Sequence, residues 1–240
     1  MQTTATRIIL VGATGRMGAL IDALATPRPD VDIVARLDAH ASYEGGRGAA
    51  DVVVDFSAPA GTMRAVEAAR RTGAALLCGT TGLGRAQTDA LTELSQHQAV
   101  LTSSNTSIGV AILRRLVAQA AEWLPSDYSV EILDVHHAMK RDQPSGTALA
   151  LVEACVGAGR STGAESVRSI REGDTVGDHE VAFAGPLETL SIRHSAGSRK
   201  LFADGAIRAA IWLRGRSSGL WSMDDVFDSG GGSTAVTPSN

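Results

Sequence analysis

Cysteine is scarce in this 240-residue chain: Cys78 and Cys155 stand far apart and outside any metal-ligand spacing. That argues against a disulfide framework and against a zinc site, and both thiols are expected to be reduced core residues. No metal is expected. Blocks of lysine or arginine are missing too, and the formal net charge is -4, so the chain lacks the basic surface that a nucleic-acid partner requires. Long hydrophobic runs are absent. The strongest apolar stretches have only the length of a strand, and the first residues lack a secretory pattern, which predicts a cytoplasmic protein that does not enter a membrane. What is present is enough chain for one large or two modest domains with a real core.

The amino-terminal half is built of repeated strand, turn and helix signals. Arg7 to Val11 is a short apolar run, Gly12-Ala-Thr-Gly15-Arg-Met-Gly18 follows it, and a helical pattern covers Ala19 to Leu24. That order suits a dinucleotide site. Gly12 permits the tight turn, Gly15 lets backbone approach a pyrophosphate, and Gly18 lets the helix pack closely on the sheet. The spacing is GxxGxxG, which a plain βα turn can also adopt. Asp38 raises the odds, because it follows the second strand candidate, Asp32 to Leu37, about 20 residues beyond the glycines, where an acid can accept from ribose hydroxyls. After Asp38 come Ala39, His40 and Ala41, with no arginine for a ribose phosphate, so NADH is favoured over NADPH. Arg16 and Arg36 stay open as phosphate partners.

Further units follow at Ala50 to Phe56, a buried parallel-strand pattern, with a helix from about Pro59 to Thr72. Ala74 to Cys78 and Ala99 to Thr102 are the next strands. They end in Gly79-Thr80-Thr81-Gly82 and Ser103-Ser104-Asn105-Thr106-Ser107, small polar turns at strand carboxyl ends, where doubly wound sheets place ligands. The organisation then changes. A long amphipathic helix over Ile108 to Trp123 leads into strands at Ser129 to Val135, Val167 to Glu172, His179 to Ala184 and Glu188 to Ser195. The expected fold is α/β: a Rossmann-like parallel-sheet domain, 1–105 completed by 215–228, and an α+β substrate and oligomerisation domain with a mixed or antiparallel sheet, 106–214. A helix over Ala203 to Leu213 closes the second domain, and 229–240 is a Gly/Ser/Thr-rich flexible tail. An open sheet in the second domain would pair subunits.

The densest chemistry lies between Glu131 and Ala148. Tyr128 to Val135 alternates as a strand and delivers His136 and His137 at its end, with Lys140 four residues beyond His136. Pro144-Ser-Gly-Thr147 then opens a helix. Ser145 or Thr147 can cap it, and the first-turn N–H groups around Gly146 and Thr147 carry the positive end of its dipole, which suits a substrate carboxylate. Lys140 could supply a cation or a proton beside that carboxylate. A lone His or Lys is usually a solvated surface residue and an SGT turn usually a cap, but here the three titratable groups and the helix start coincide.

In order along the chain, VGATGRMG, VDFSAP, CGTTGL, SSNTSIGV, HHAMKRDQPSGTA, REGDTVGDHEVAF, HSAGSRKLFADGAIRAAIWL and SGLWSMDDVF resemble the 4-hydroxy-tetrahydrodipicolinate reductase family, the dihydrodipicolinate reductases of lysine and diaminopimelate biosynthesis. The resemblance runs from about Arg7 to Asp228. It implies a homotetramer that uses NADH or NADPH to reduce a small dicarboxylate by hydride addition to a conjugated cyclic imine. It also implies roles for residues. Gly12, Ala13, Thr14, Gly15, Arg16 and Met17 would hold the pyrophosphate and Asp38 the adenosine ribose. Gly79, Thr80 and Thr81, with Ser103, Ser104, Asn105 and Thr106, would lie near the nicotinamide. His136 and Lys140 match the family's proton donors, His137 a substrate-binding histidine, and Gly146 with Thr147 the carboxylate-binding pair. The chain departs from the family motif HHxHK at Met139, has Thr106 where a bulky residue is common, and is short after Asp38 and after Ala150. A homologue reducing a related cyclic imine or enamine acid, or a nucleotide-binding protein without catalysis, are the alternatives.

Overall fold

The structure, a computed structural model, describes residues 4–38 and 41–227. The tail expected at 229–240, and the Ala39 and His40 used in the cofactor argument, lie outside the described residues. The chain divides into two compact units, Met1–Thr106 with Phe202–Asn240, and Ser107–Leu201.

The first unit is a six-stranded parallel sheet in the order β10-β5-β4-β3-β1-β2. Its strands are β1 (Thr6–Val11), β2 (Val31–Leu37), β3 (Val52–Asp55), β4 (Ala75–Cys78), β5 (Ala99–Thr102) and β10 (Gly219–Trp221). Helices α1 (Arg16–Ala25), α2 (Pro59–Thr72) and α3 (Arg85–Ser95) connect them. Every residue of β3 and β4 is buried, which is why these strands read as unbroken apolar runs: both faces of a parallel sheet are covered. Ile9, Val53, Leu76 and Val100 from the sheet share a core with Val66 of α2 and Leu91 of α3. Pro59 starts α2 and Gly73, at φ +74°, ends it in the left-handed conformation that glycine adopts without strain. The last helix, α6 (Lys200–Leu213), groups with this unit from Phe202 onward, whereas the sequence pattern places the boundary after it, at 214.

In the second unit α4 (Ile108–Trp123) and α5 (Gly146–Gly157) lie on one face of a mixed sheet ordered β7-β6-β8-β9. These strands are β6 (Ser129–His136), β7 (Val167–Arg171), β8 (Asp178–Ala184) and β9 (Thr189–Ser195). The β6–β7 pair is parallel and the other two pairs are antiparallel. Leu113 and Val117 of α4 and Leu151 of α5 meet Ile132, Val181 and Phe183 of the sheet in one core. Residues of alternate parity, such as Leu133, Val135 and Ala182, project from the opposite face.

Candidate active site

In the first unit the glycine turn is built as its spacing requires. Gly12 sits at φ +81°, and a Cβ there would stand 2.6 Å from the carbonyl oxygen of Phe56. Gly18 lies so close to the turn that a Cβ would come within 2.1 Å of the Gly12 oxygen. The amides of Gly12 and Ala13 both donate to the Leu37 carbonyl, at 2.8 and 3.0 Å, which ties the turn to β2. The anion-directed amides are therefore those of the α1 first turn, from Arg16 to Gly18, where a helix has no acceptors of its own. Asp38 is exposed just beyond β2 and its Oδ1 accepts from the Ala41 amide at 2.8 Å. Arg36, one of the two candidate phosphate partners, is instead locked to Asp22 of α1 by bonds of 2.9 and 2.7 Å.

The turns after β3 and β4 are organised by a residue that the sequence pattern alone does not single out. Asp55, fully buried at the end of β3, accepts from the hydroxyls of Thr62 and Thr80 at 2.7 and 2.9 Å and from the Ser57 amide at 3.1 Å. Thr80 thus points its hydroxyl inward, while Gly79 lies against the Phe56 ring and Thr81 is exposed. Ser103 closes its own turn, donating to the Asn105 carbonyl at 2.7 Å and accepting from the Asn105 amide at 3.1 Å. Ser104 is exposed beside it. Thr106 is buried and its hydroxyl donates to the Phe202 carbonyl at 2.7 Å, so its side chain is committed to the fold. Cys78 and Cys155 are free and buried, and burial pushes their thiols up to about 12 and about 11.

In the second unit the cross-strand register lines up a polar row on the helix-covered face: Ser169 of β7, Asp134 of β6, His179 of β8 and His194 of β9. Asp134 is its centre and is fully buried. Its Oδ1 accepts from the Ser145 hydroxyl at 2.7 Å and faces His136 Nδ1 at 3.0 Å and His179 Nε2 at 3.3 Å. Its Oδ2 accepts from the Ser145 amide at 3.0 Å and the Arg171 guanidinium at 2.9 Å. Burial alone would push this carboxyl up. The close approach of the His136 and His179 rings and the bonds from Ser145 more than offset that and hold it far below the usual carboxylate range. Asp134, His136 and His179 bring ligand atoms within 4.8 Å of one another, the spacing of a cation site, which cysteine counting could not reveal. The same carboxylate already carries the Arg171 charge and the Ser145 hydroxyl, so the cluster closes as a hydrogen-bonded network.

Ser145 joins this network to α5. While donating to Asp134, its hydroxyl also accepts from the Ala148 amide at 3.2 Å and so caps the helix. Gly146 and Thr147 form the first turn; Gly146 is exposed, and a Cβ on it would meet nothing within 4 Å. His137 is half-buried, with Nε2 3.3 Å from the Arg199 guanidinium. Lys140 lies 2.8 Å from Asp142, and its ammonium holds that carboxyl below the usual range. Met139, in the position of the family histidine, is 83% exposed.

Comparison with known proteins covers both units. The family model described as dihydrodipicolinate reductase, N-terminus, matches residues 6–106, and its C-terminus counterpart matches residues 109–227. The 4-hydroxy-tetrahydrodipicolinate reductase of Rhodopseudomonas palustris (strain BisA53) is 36% identical over 269 residues, covering 95% of this chain and 98% of that protein. That of Xanthomonas euvesicatoria pv. vesicatoria (strain 85-10) is 38% identical over 240 residues, covering 94% and 99%. Among solved structures, the dipicolinate-bound dihydrodipicolinate reductase of Paenisporosarcina sp. TG-14 shares the fold with a TM-score of 0.73 at 19% identity, over 91% of this chain and 97% of that one.

Proposed function

The chain belongs to the dihydrodipicolinate reductase family, and from that premise we propose that it reduces 4-hydroxy-tetrahydrodipicolinate to tetrahydrodipicolinate in lysine and diaminopimelate biosynthesis. One observation carries the reading: Asp134 bonds to Ser145, which caps α5, and its Oδ1 lies 3.0 Å from His136 Nδ1, so a proton donor and an anion-ready helix start are held in one frame. The first unit fits a dinucleotide, with Gly12 and Gly18 clearing the turn and α1 aiming its first amides outward. The bound nicotinamide supplies the hydride. This chain's residues supply the rest. His136 or Lys140 delivers the balancing proton, and Lys140, His137 and the Gly146–Thr147 amides hold the two substrate carboxylates.

NADH is the preferred form in this reading. Arg36 is occupied by Asp22, and Asp38 would meet a ribose phosphate with like charge. A higher kcat/KM with NADPH than with NADH would contradict that preference. We further propose a cytoplasmic homotetramer that pairs through the open face of the mixed sheet, where Leu133, Val135, Ile170 and Ala182 are ringed by Glu131, Glu180, Arg168 and Arg193. Among the described residues no helix is long and apolar enough to cross a membrane. The test of the activity is cofactor oxidation with enzymatically generated 4-hydroxy-tetrahydrodipicolinate; tight cofactor binding without turnover would move the assignment to another cyclic imine.

A further inference from the structure

Asp134 is a buried charge with no assigned part in the reaction, and it touches the ring of the proposed proton donor. Its carboxylate cannot turn, because Arg171 and the Ser145 amide grip Oδ2 while the Ser145 hydroxyl and His179 crowd Oδ1. An ionised carboxylate offers only acceptors, so the nitrogen that faces it must carry the hydrogen. That nitrogen is Nδ1 of His136, at 3.0 Å. As it stands it has no aligned hydrogen-bond partner among the described residues, Oδ1 included, and a buried N–H left unpaired is costly, so a small ring rotation onto Oδ1 is the motion that satisfies it. His179 stands edge-on to the same ring, with centroids 5.1 Å apart, and restrains larger swings. The opposite nitrogen has a glycine beside it. Gly177 borders Nε2, and a Cβ there would come within 2.9 Å of it.

We propose that Asp134 is the positioning residue of His136: it fixes the neutral ring as the Nδ1–H tautomer, leaving Nε2, beside Gly177, as the atom that exchanges a proton with the substrate. The proposal rests on the reading of His136 as the acid of the reductase. Arg171 and Ser145 belong to the same device, since they hold the carboxylate that holds the ring.

The test combines nitrogen-15 NMR of the ring nitrogens in the full-length protein, assigned with His136→Gln, with the kinetics of Asp134→Asn and Gly177→Ala. Wild type is expected to show a protonated Nδ1 and a bare Nε2 on neutral His136. In Asp134→Asn the side-chain amide can turn a donor toward Nδ1 and invert the tautomer. That substitution is expected to lower kcat by about a hundredfold or more with KM for the imine little changed, in line with the loss of an oriented proton donor. Gly177→Ala is expected to lower kcat while leaving the Nδ1–H pattern intact. A wild-type spectrum with the hydrogen on Nε2 would overturn the proposal, as would Asp134→Asn with wild-type kcat. Should Asp134→Asn fail to fold, the wild-type spectrum and Gly177→Ala decide alone. Absence of imine turnover in wild type with the Nδ1–H pattern present would sink the reductase reading and leave the positioning role standing.

Discussion

Asp134 and Arg171 are the pair on which most of the site depends. The Arg171 side chain is 7% exposed, so removing its carboxylate leaves a buried cation without a counter-charge. Asp134→Ala is accordingly expected to destabilise the protein by about 3–5 kcal/mol, read from urea unfolding of the two proteins side by side. The same row makes stability acid-sensitive in two steps. Burial first, and the neighbouring His179 next, lower the pKa of His194 despite Asp178 nearby, so in the window below about 6.5 the unfolded chain binds more protons than the folded one. The contribution of His194 is therefore full above about pH 6.5 and is lost as pH falls through its folded value. That of Asp134, whose folded pKa is also depressed, is full above about pH 4 and is lost below it. Melting temperature followed from neutral pH downward should fall first in the upper window, and His194→Gln should flatten that first fall; an unchanged slope would count against it.

Among elements, α1 and the turn before it carry the cofactor argument. Gly18→Ala puts a methyl into the Gly12 carbonyl, a backbone atom that cannot give way, so α1 must move off the sheet. The expected result is loss of dinucleotide binding by calorimetry, with the second unit still folded by its own core of Leu113, Ile132, Val181 and Phe183. Retained affinity in that variant would contradict the anion role of the α1 start. These elements were legible because period-2 and period-3.6 patterns and glycine turns are local: β3 and β4 are buried runs, and Pro59 and Gly73 punctuate α2. Helix α3 is hard to see in the sequence, since only Ala90, Leu91, Leu94 and Ser95 turn inward among polar residues. In β6 the inward parity of Asp134 and His136 with Ile132 was visible in the alternation. What a single sequence does not contain is the register that sets His179 and His194 beside Asp134, so the alternation brings out His136 and His137 but marks neither these two histidines nor Asp134 and Arg171 as part of the site. The allocation of α6 escaped for a similar reason, because which unit a terminal helix joins is decided by non-local packing.

At the scale of the molecule, the second sheet covers one face with helices and leaves Leu133, Val135 and Ala182 on the other. Leu133→Glu with Ala182→Glu is expected to reduce the mass seen by light scattering, since like charges facing each other across a sheet pairing oppose association. An unchanged mass would place the subunit contact elsewhere. The function proposed for this chain is imine reduction with the acid at the end of β6. The most direct test is the rate of NADH oxidation with enzymatically generated 4-hydroxy-tetrahydrodipicolinate, for wild type beside His136→Ala and Lys140→Ala. Wild type is expected to turn over fast and His136→Ala to lose about a hundredfold or more, with Lys140→Ala also impaired and cofactor binding kept in both. Wild-type turnover that survives both substitutions would contradict the acid site, and none in wild type despite bound NADH would contradict the reaction.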